Sequence, residues 1–166
     1  MVSEFRISHV YRLVAVAATA VVAMSLVQPA GAGTVKELAG RWSGWGSVKL
    51  SNGATERVRC VATYFVKRAE TLINQNLRCA SASYKIDAKA HYNLKGDVLT
   101  GAWVERTHSA KGNVKGRMTG DGFKLAVRGK TFSASMIVTS SPCKQSINIF
   151  PSGLDVSRIA IGLKKC

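Results

Sequence analysis

"ERVRCVATYFVKRAETLINQNLRCA", residues 56–80, contains two apolar runs with a cysteine near the outer end of each. Apolar and polar residues alternate along both runs, which is typical of strands with one buried face. Facing residues of a hairpin have numbers with a constant sum, and a turn centred on Ala69 and Glu70 places Cys60 opposite Cys79. Both cysteines fall on the apolar side. The stretch therefore predicts an antiparallel hairpin closed by a Cys60–Cys79 disulfide.

The same alternation continues along the chain and predicts about ten short strands separated by turn residues. They cover residues 42–50, 56–67, 72–80, 83–94, 98–105, 113–119, 123–128, 132–139, 143–150 and 156–164. Sequential hairpins with one apolar face favour an all-β fold, an antiparallel up-and-down β-barrel of about 8–10 strands, because closure removes exposed sheet edges. A two-sheet β-sandwich is the alternative.

Three turns give testable pairings that put apolar residues on one face. A turn at Gly96-Asp97 pairs Tyr92 with Gly101 and Ala90 with Trp103. Turns at Asp121-Gly122 and Gly129-Lys130 extend the same face, with these pairings: Met118 with Leu125, Gly116 with Val127, Val127 with Phe132, Leu125 with Ala134, and Phe123 with Met136.

The remaining two cysteines pair by elimination as Cys143–Cys166. If Ile149 faces Ile159, Cys143 faces Lys165, one residue short of Cys166, and a chain end can bend by that much. Zinc is disfavoured because the chain has no CxxC spacing and no histidine close to a cysteine. We expect no metal and no cofactor.

The first residues resemble an export signal. Arg6 and Arg12 precede an apolar run at 13–27, and Ala30-Gly31-Ala32 supplies small residues for cleavage after Ala32. We expect residues 1–32 to be a cleaved signal peptide and 33–166 to be a single disulfide-bonded domain. The protein would then be periplasmic or secreted, with no transmembrane span after cleavage.

The segment "TVKELAGRWSGWGSV", residues 34–48, contains a short helical stretch before Gly40-Arg41-Trp42 and resembles the start of the calycin barrels, the lipocalins and their relatives. In lipocalins the tryptophan closes the barrel base and an arginine of the last strand packs across it. The resemblance implies these roles for Trp42 and Arg158. "LTGAW", with Trp103, is also similar to avidin-like barrels. The blocks "ERVRC", "LRCASASYK", "LTGAWVERT" and "GRMTG" resemble uncharacterised exported proteins of rhizobia and their relatives, which implies no function.

Groups suited to catalysis are few. His91 lies on a polar strand face, His108 lies in a loop, and the sequence has no GxSxG, HExxH or P-loop motif. We therefore expect no enzyme activity. Glu105 is the only carboxylate on the predicted inner face. It is interpreted either as a rim residue facing water or as a ligand contact, and burial would raise its pKa.

The inner face is rich in small residues, which indicate either tight curvature or an open lumen. They are Gly44, Gly46, Ala62, Ala88, Ala90, Gly101, Gly116 and Ala134. Aromatic residues on the same face indicate a packed core or the lining of a pocket. A carrier of a small apolar ligand would use Trp42, Tyr84, Tyr92, Trp103 and Glu105.

The formal net charge of +15 predicts attraction to anionic partners. The outward cations expected to bind polyanions are Arg57, Arg59, Lys85, Lys89, Lys115 and Arg117. Outside the cytoplasm such partners are anionic envelope polymers or lipid head groups; nucleic acid does not suit that compartment. The same lysines and arginines also suit a surface that only confers solubility. The leading hypothesis is a non-catalytic exported protein that associates with anionic envelope or extracellular components. A luminal carrier and an inhibitor of a secreted protease are the alternatives.

Overall fold

The computed structural model describes residues 35–166, which form one short helix and ten strands. Their bounds are α1 Val35–Leu38, β1 Gly40–Leu50, β2 Thr55–Lys67, β3 Leu72–Ala80, β4 Lys85–Lys95, β5 Val98–Glu105, β6 Ala110–Thr119, β7 Gly122–Gly129, β8 Ser133–Ser140, β9 Lys144–Ser152 and β10 Val156–Lys164. The expected signal peptide, residues 1–32, lies outside the described residues. Its cleavage and the periplasmic or secreted location therefore stay predictions. Within residues 35–166 no helix is long and apolar enough to cross a membrane.

Each strand pairs antiparallel with the next along the chain, and β1 pairs with β10 to close a barrel. Alternating side chains place one face of every strand in the lumen, so the apolar residues of all ten strands form one core. The barrel prediction is confirmed, and the sandwich alternative is wrong. Closure pairs strands that a sandwich would leave as edges.

Three hairpins have the predicted register. Cys60 faces Cys79 between β2 and β3. Ala90 faces Trp103 and Tyr92 faces Gly101 between β4 and β5, and Ile149 faces Ile159 between β9 and β10. The five pairings predicted from the turns at Asp121-Gly122 and Gly129-Lys130 are wrong by two residues. Met118 faces Phe123, Gly116 faces Leu125, Val127 faces Ala134, Leu125 faces Met136 and Phe123 faces Val138. A shift of two residues keeps every side chain on its face, so the apolar pattern did not distinguish the two registers.

Both predicted disulfides are present. Cys60 pairs with Cys79 with their Cα atoms 4.1 Å apart, and both side chains are buried in the lumen. Cys143 pairs with Cys166 near the chain end. The Lys165 amide donates to the Cys143 carbonyl at 3.1 Å, which agrees with the expected offset of one residue.

The barrel has two different ends. The closed end carries α1 and the β2–β3, β4–β5, β6–β7 and β8–β9 connections, whereas the open end carries the other five. The Trp42 indole donates to the Leu38 carbonyl at 2.9 Å, which ties α1 to the base of the barrel. The closed half of the lumen is filled by large buried side chains, which include Trp42, Tyr64, Leu99, Phe123, Val138 and Ile147.

The arginine role implied by the lipocalin resemblance is not filled by Arg158. Its side chain is exposed, lies 5.4 Å from the Phe150 ring and donates to Asn148 at 2.8 Å. Lys165 lies across Trp42 instead, with its ammonium 4.8 Å from the ring centroid. Arg158 points outward because it precedes Ile159, which faces the lumen.

Candidate functional site

The open half of the barrel contains a cavity of about 590 Å³, a size typical of small-molecule sites. Strands β3 to β10 and the loops of the open end line it. The β1 and β2 side of this half is filled by Val48, Val58 and the Cys60–Cys79 disulfide. Most lining residues are apolar; they include Leu77, Ile86, Ala88, Ala90, Trp103, Val114, Val127, Phe132, Ala134, Met136, Ile149, Leu154, Ile159 and Ile161.

The small inward residues were interpreted as a sign of either tight curvature or an open lumen, and the structure shows that the glycines and the alanines differ in this respect. A Cβ atom at Gly44 would lie 2.1 Å from the Gly162 carbonyl oxygen, and one at Gly101 would lie 1.9 Å from that of His91. These glycines therefore allow close approach of neighbouring strands. Ala88, Ala90 and Ala134 line the cavity. The glycines thus serve curvature, and these alanines leave the lumen open.

Four of the five predicted ligand contacts lie together around the cavity: Tyr84, Tyr92, Trp103 and Glu105. The Trp103 ring packs edge-on against Phe132, with centroids 5.4 Å apart, and the two form part of the wall. Trp42 is fully buried at the closed end and does not line the cavity. The structure therefore separates Trp42 from the other four.

A chain of buried hydrogen bonds, here called the polar layer, extends from the floor of the cavity into the closed half. It runs from Tyr92 to Gln75, from Gln75 to Tyr64 at 3.0 Å, and from Tyr64 to Gln145 at 3.0 Å. Tyr92 and Gln75 also line the cavity and form its floor. Burial raises the pKa of both Tyr64 and Tyr92 well above the usual phenol value. The layer is therefore uncharged at physiological pH.

Sequence reasoning missed the two glutamines. Gln75 and Gln145 are 4% and 3% exposed, and they are the buried polar side chains of the described chain. A signal existed for Gln75, because it stands between Ile73 and Leu77 at an inward position of an alternating strand. A polar residue at such a position needs buried partners, which a single sequence does not identify.

Glu105 lies at the cavity mouth and accepts hydrogen bonds from β4 and from the loop that follows β5. Its carboxylate accepts from the amides of Asp87 at 2.8 Å, Thr107 at 3.0 Å and His108 at 2.7 Å, and it contacts the His108 ring nitrogen at 3.0 Å. Burial acts to raise the pKa of Glu105, but the backbone hydrogen bonds outweigh burial and hold it below the usual value. The expectation that burial leaves Glu105 with a raised pKa is therefore wrong, because backbone donors stabilise its charged form.

His108 also lines the cavity mouth, which the sequence did not predict. Its ring lies beside that of Tyr84, with ring centroids 6.3 Å apart. Within residues 35–166 no group of three or more histidine, cysteine or acidic side chains is placed to hold a metal ion.

The six cations predicted to bind polyanions are all exposed on β2, β4 and β6, which β3 and β5 separate. Arg57 stacks over the exposed ring of Trp45 at 4.3 Å, and Arg117 pairs with Asp97 at 2.7 Å. The structure places all six on the outer wall, where Arg59 and Lys85 lie on either side of Ala80 of β3.

No protein family model matches the chain, and no curated protein sequence matches it. The suggested resemblance to exported proteins of rhizobia therefore has no family match behind it. Among solved structures, the barrel is similar to the S-type phycobiliprotein lyase CPES from Guillardia theta, with a TM-score of 0.58 and 12% sequence identity. The similarity covers 78% of this chain and 88% of the lyase chain. It shows a shared barrel fold of the calycin type.

Proposed function

We propose that this chain is an exported carrier that binds a small, mainly apolar ligand in the open half of its lumen. The observation that carries the proposal is the 590 Å³ cavity lined by apolar and aromatic side chains. Protein interiors normally fill to high density, and the closed half of this barrel does so. The alanines of the open half leave a space that a ligand would fill.

The fold likeness is compatible with a luminal site but does not define the ligand. The neighbour is named as a phycobiliprotein lyase, so a barrel of this kind is not by itself an argument against catalysis. The absence of enzyme activity therefore stays a prediction. His108 and Glu105, which are paired at the mouth, are the residues to substitute in a test for enzyme activity.

Association with anionic envelope components stays a prediction that rests on net charge. Exposed cations on several strands also serve solubility, so their placement does not favour one role. Inhibition of a secreted protease rests on architecture alone. The cavity gives the carrier hypothesis a specific observation that the other two lack.

Native and denaturing mass spectrometry of the protein purified from an oxidising periplasm tests the proposal. We expect a defined extra mass on the native protein that leaves on denaturation. Ala134→Phe, which adds a ring inside the cavity, should lose this mass. Ala126→Phe is the matched control, because Ala126 is exposed on the neighbouring strand β7 and should keep it.

Salt separates this site from charge-driven binding. A ligand in the apolar lumen should remain at high ionic strength, whereas a partner held by surface cations should be released. Retention of the extra mass by Ala134→Phe would contradict luminal binding. A wild-type protein that carries no passenger and binds no neutral apolar probe would also contradict it.

A further inference from the structure

We propose that the lumen selects an uncharged ligand whose apolar body carries a hydrogen-bond acceptor, such as a ketone or amide carbonyl, and that it rejects carboxylates. This inference rests on the proposed carrier function and adds the chemical class of the ligand. Three parts of the cavity support it: the floor, the wall and the mouth.

The floor offers no charge to an ion. Tyr92 and Gln75 form it, and behind them the polar layer contains only phenols and amides. A carboxylate placed there would lose its hydration without gaining a cation, which is strongly unfavourable. Lys89 is the lysine among the cavity residues, and its side chain is exposed on the outer face of β4. The inner end of a bound ligand should therefore be uncharged.

The wall contains a donor that lacks an acceptor. Trp103 lines the cavity with its side chain 9% exposed, and its indole nitrogen is buried with no hydrogen-bond partner in residues 35–166. An indole N–H is a donor only, and leaving it unpaired in a buried site is unfavourable. Because the nitrogen is buried and does not face open space, a ligand acceptor would reach it after a small rotation of the indole ring and would then satisfy the donor. An unsubstituted hydrocarbon would leave it unpaired.

The mouth carries two carboxylates close to the apolar walls, in loops that also hold exposed cations such as Arg106 and Lys130, so it adds only a local preference against anions. Glu105 and Asp155 both line it, and the backbone donors around Glu105 favour its charged form. The His108 ring nitrogen lies 3.0 Å from the Glu105 carboxylate. An anionic ligand that enters from the open end therefore meets two carboxylates before it reaches the apolar walls.

A matched set of three probes tests the inference on the wild-type protein. The probes are the fluorescent ketone propionyl-dimethylaminonaphthalene, its propyl analogue without the carbonyl, and its carboxylate analogue. All three share one ring system, so they differ in the polar group alone. Titration calorimetry should show binding of the ketone and the propyl analogue and at least tenfold weaker binding of the carboxylate.

Trp103→Phe then isolates the donor, because it removes the N–H and retains an aromatic ring. We expect the ketone to lose about tenfold more affinity than the propyl analogue does, which corresponds to about 1.4 kcal/mol. The emission of the bound ketone should also move to shorter wavelength, since a hydrogen bond to its carbonyl is lost. A purely structural role for Trp103 would weaken both probes equally and leave the emission unchanged.

The outcomes distinguish the two proposals. Binding of the carboxylate within tenfold of the ketone overturns the selectivity and leaves the carrier function intact. Equal losses of affinity for the ketone and the propyl analogue in Trp103→Phe overturn the need for a hydrogen-bond acceptor and also leave the carrier function intact. Failure of all three probes to bind overturns the carrier function and this inference with it. If Trp103→Phe does not fold, the wild-type protein still decides both points: the ketone against the carboxylate tests the rejection of anions, and emission of the bound ketone at the wavelength of a carbonyl without a hydrogen bond overturns the acceptor.

Discussion

The two halves of the lumen are built by the same ten strands, yet one is a packed core and the other holds a cavity. In the closed half, Trp42, Tyr64 and Phe123 are at most 1% exposed and fill the space between the strands. In the open half, the corresponding inward positions include Ala88 and Ala134, which line the cavity. The alternation of apolar and polar residues is the same in both. The size of the inward side chains decides which half can take a ligand.

The polar layer connects these halves, because Tyr92 and Gln75 line the cavity and Tyr64 and Gln145 do not. Its hydrogen bonds join β2, β3, β4 and β9 across the lumen through Tyr64, Gln75, Tyr92 and Gln145. These bonds pair both phenols and the Gln75 amide, whereas the Gln145 amide nitrogen has no partner within residues 35–166. Paired buried groups tolerate little displacement, so the network holds the floor of the cavity in place.

Truncating one phenylalanine in each half should give the largest contrast. Phe123→Ala removes a ring that is 1% exposed in the closed half and should cost about 3–5 kcal/mol of unfolding free energy. Phe132→Ala removes a half-buried ring beside the cavity and should cost about 1 kcal/mol, because that ring already borders open space. Guanidinium denaturation of the oxidised proteins measures both. Equal losses would mean that the open half is packed as tightly as the closed half.

Alkaline pH should weaken the boundary between the halves. The folded-state pKa values of Tyr64 and Tyr92 are raised by burial, so the stability they contribute is fully present below the unfolded phenol pKa of about 10 and is lost as pH rises above it. Each tyrosine should then reduce the unfolding free energy by about 1.4 kcal/mol per pH unit.

Measuring the unfolding free energy between about pH 8 and 11 tests this dependence. Tyr92→Phe should remove one tyrosine's share of the slope. Tyr84→Phe, at the partly exposed mouth, is the control and should remove less. An unchanged slope in Tyr92→Phe would show that Tyr92 ionises freely in the folded protein.

The backbone of this molecule was largely predictable from the sequence. Alternation located all ten strands, and two cysteines at matching positions fixed the register of β2 and β3. The two hairpins that contain β7 were shifted by two residues, because alternation does not detect an even shift. Four residues, 129–132, connect the paired ends of β7 and β8 where a two-residue turn was expected, and the two-residue turn between β6 and β7 lies at Gly120-Asp121, one residue earlier than expected. The length and position of the turns, which hydrophobic alternation does not give, were the missing information.

The site was predictable only in part. Tyr84, Tyr92, Trp103 and Glu105 were found because inward aromatic residues and a lone inward carboxylate stand out in an alternating strand. Trp42 matched the same criterion, but a single strand pattern does not tell which end of the lumen a residue occupies. His108 was missed because its pairing with Glu105 depends on the fold of a loop.

The smallest predicted effect concerns what holds the closed half shut. Lys165 reaches from the chain end to α1, where its ammonium donates to the carbonyls of Glu37 at 2.7 Å and Ala39 at 3.2 Å and lies over Trp42. Lys165→Met keeps much of the aliphatic chain and removes the charge. We expect a loss of about 1 kcal/mol of unfolding free energy, since exposed cation–π contacts contribute about 0.5–1 kcal/mol.

Lys164→Met is the matched control, because Lys164 is the exposed residue next to it at the end of β10. It should change the unfolding free energy by less than about 0.5 kcal/mol. Ligand binding in the open half should be the same in both variants, because the polar layer lies between the cavity and the base. Weaker binding in Lys165→Met alone would show that the two halves are coupled, and would mean that the closed half shapes the cavity as well as supporting it.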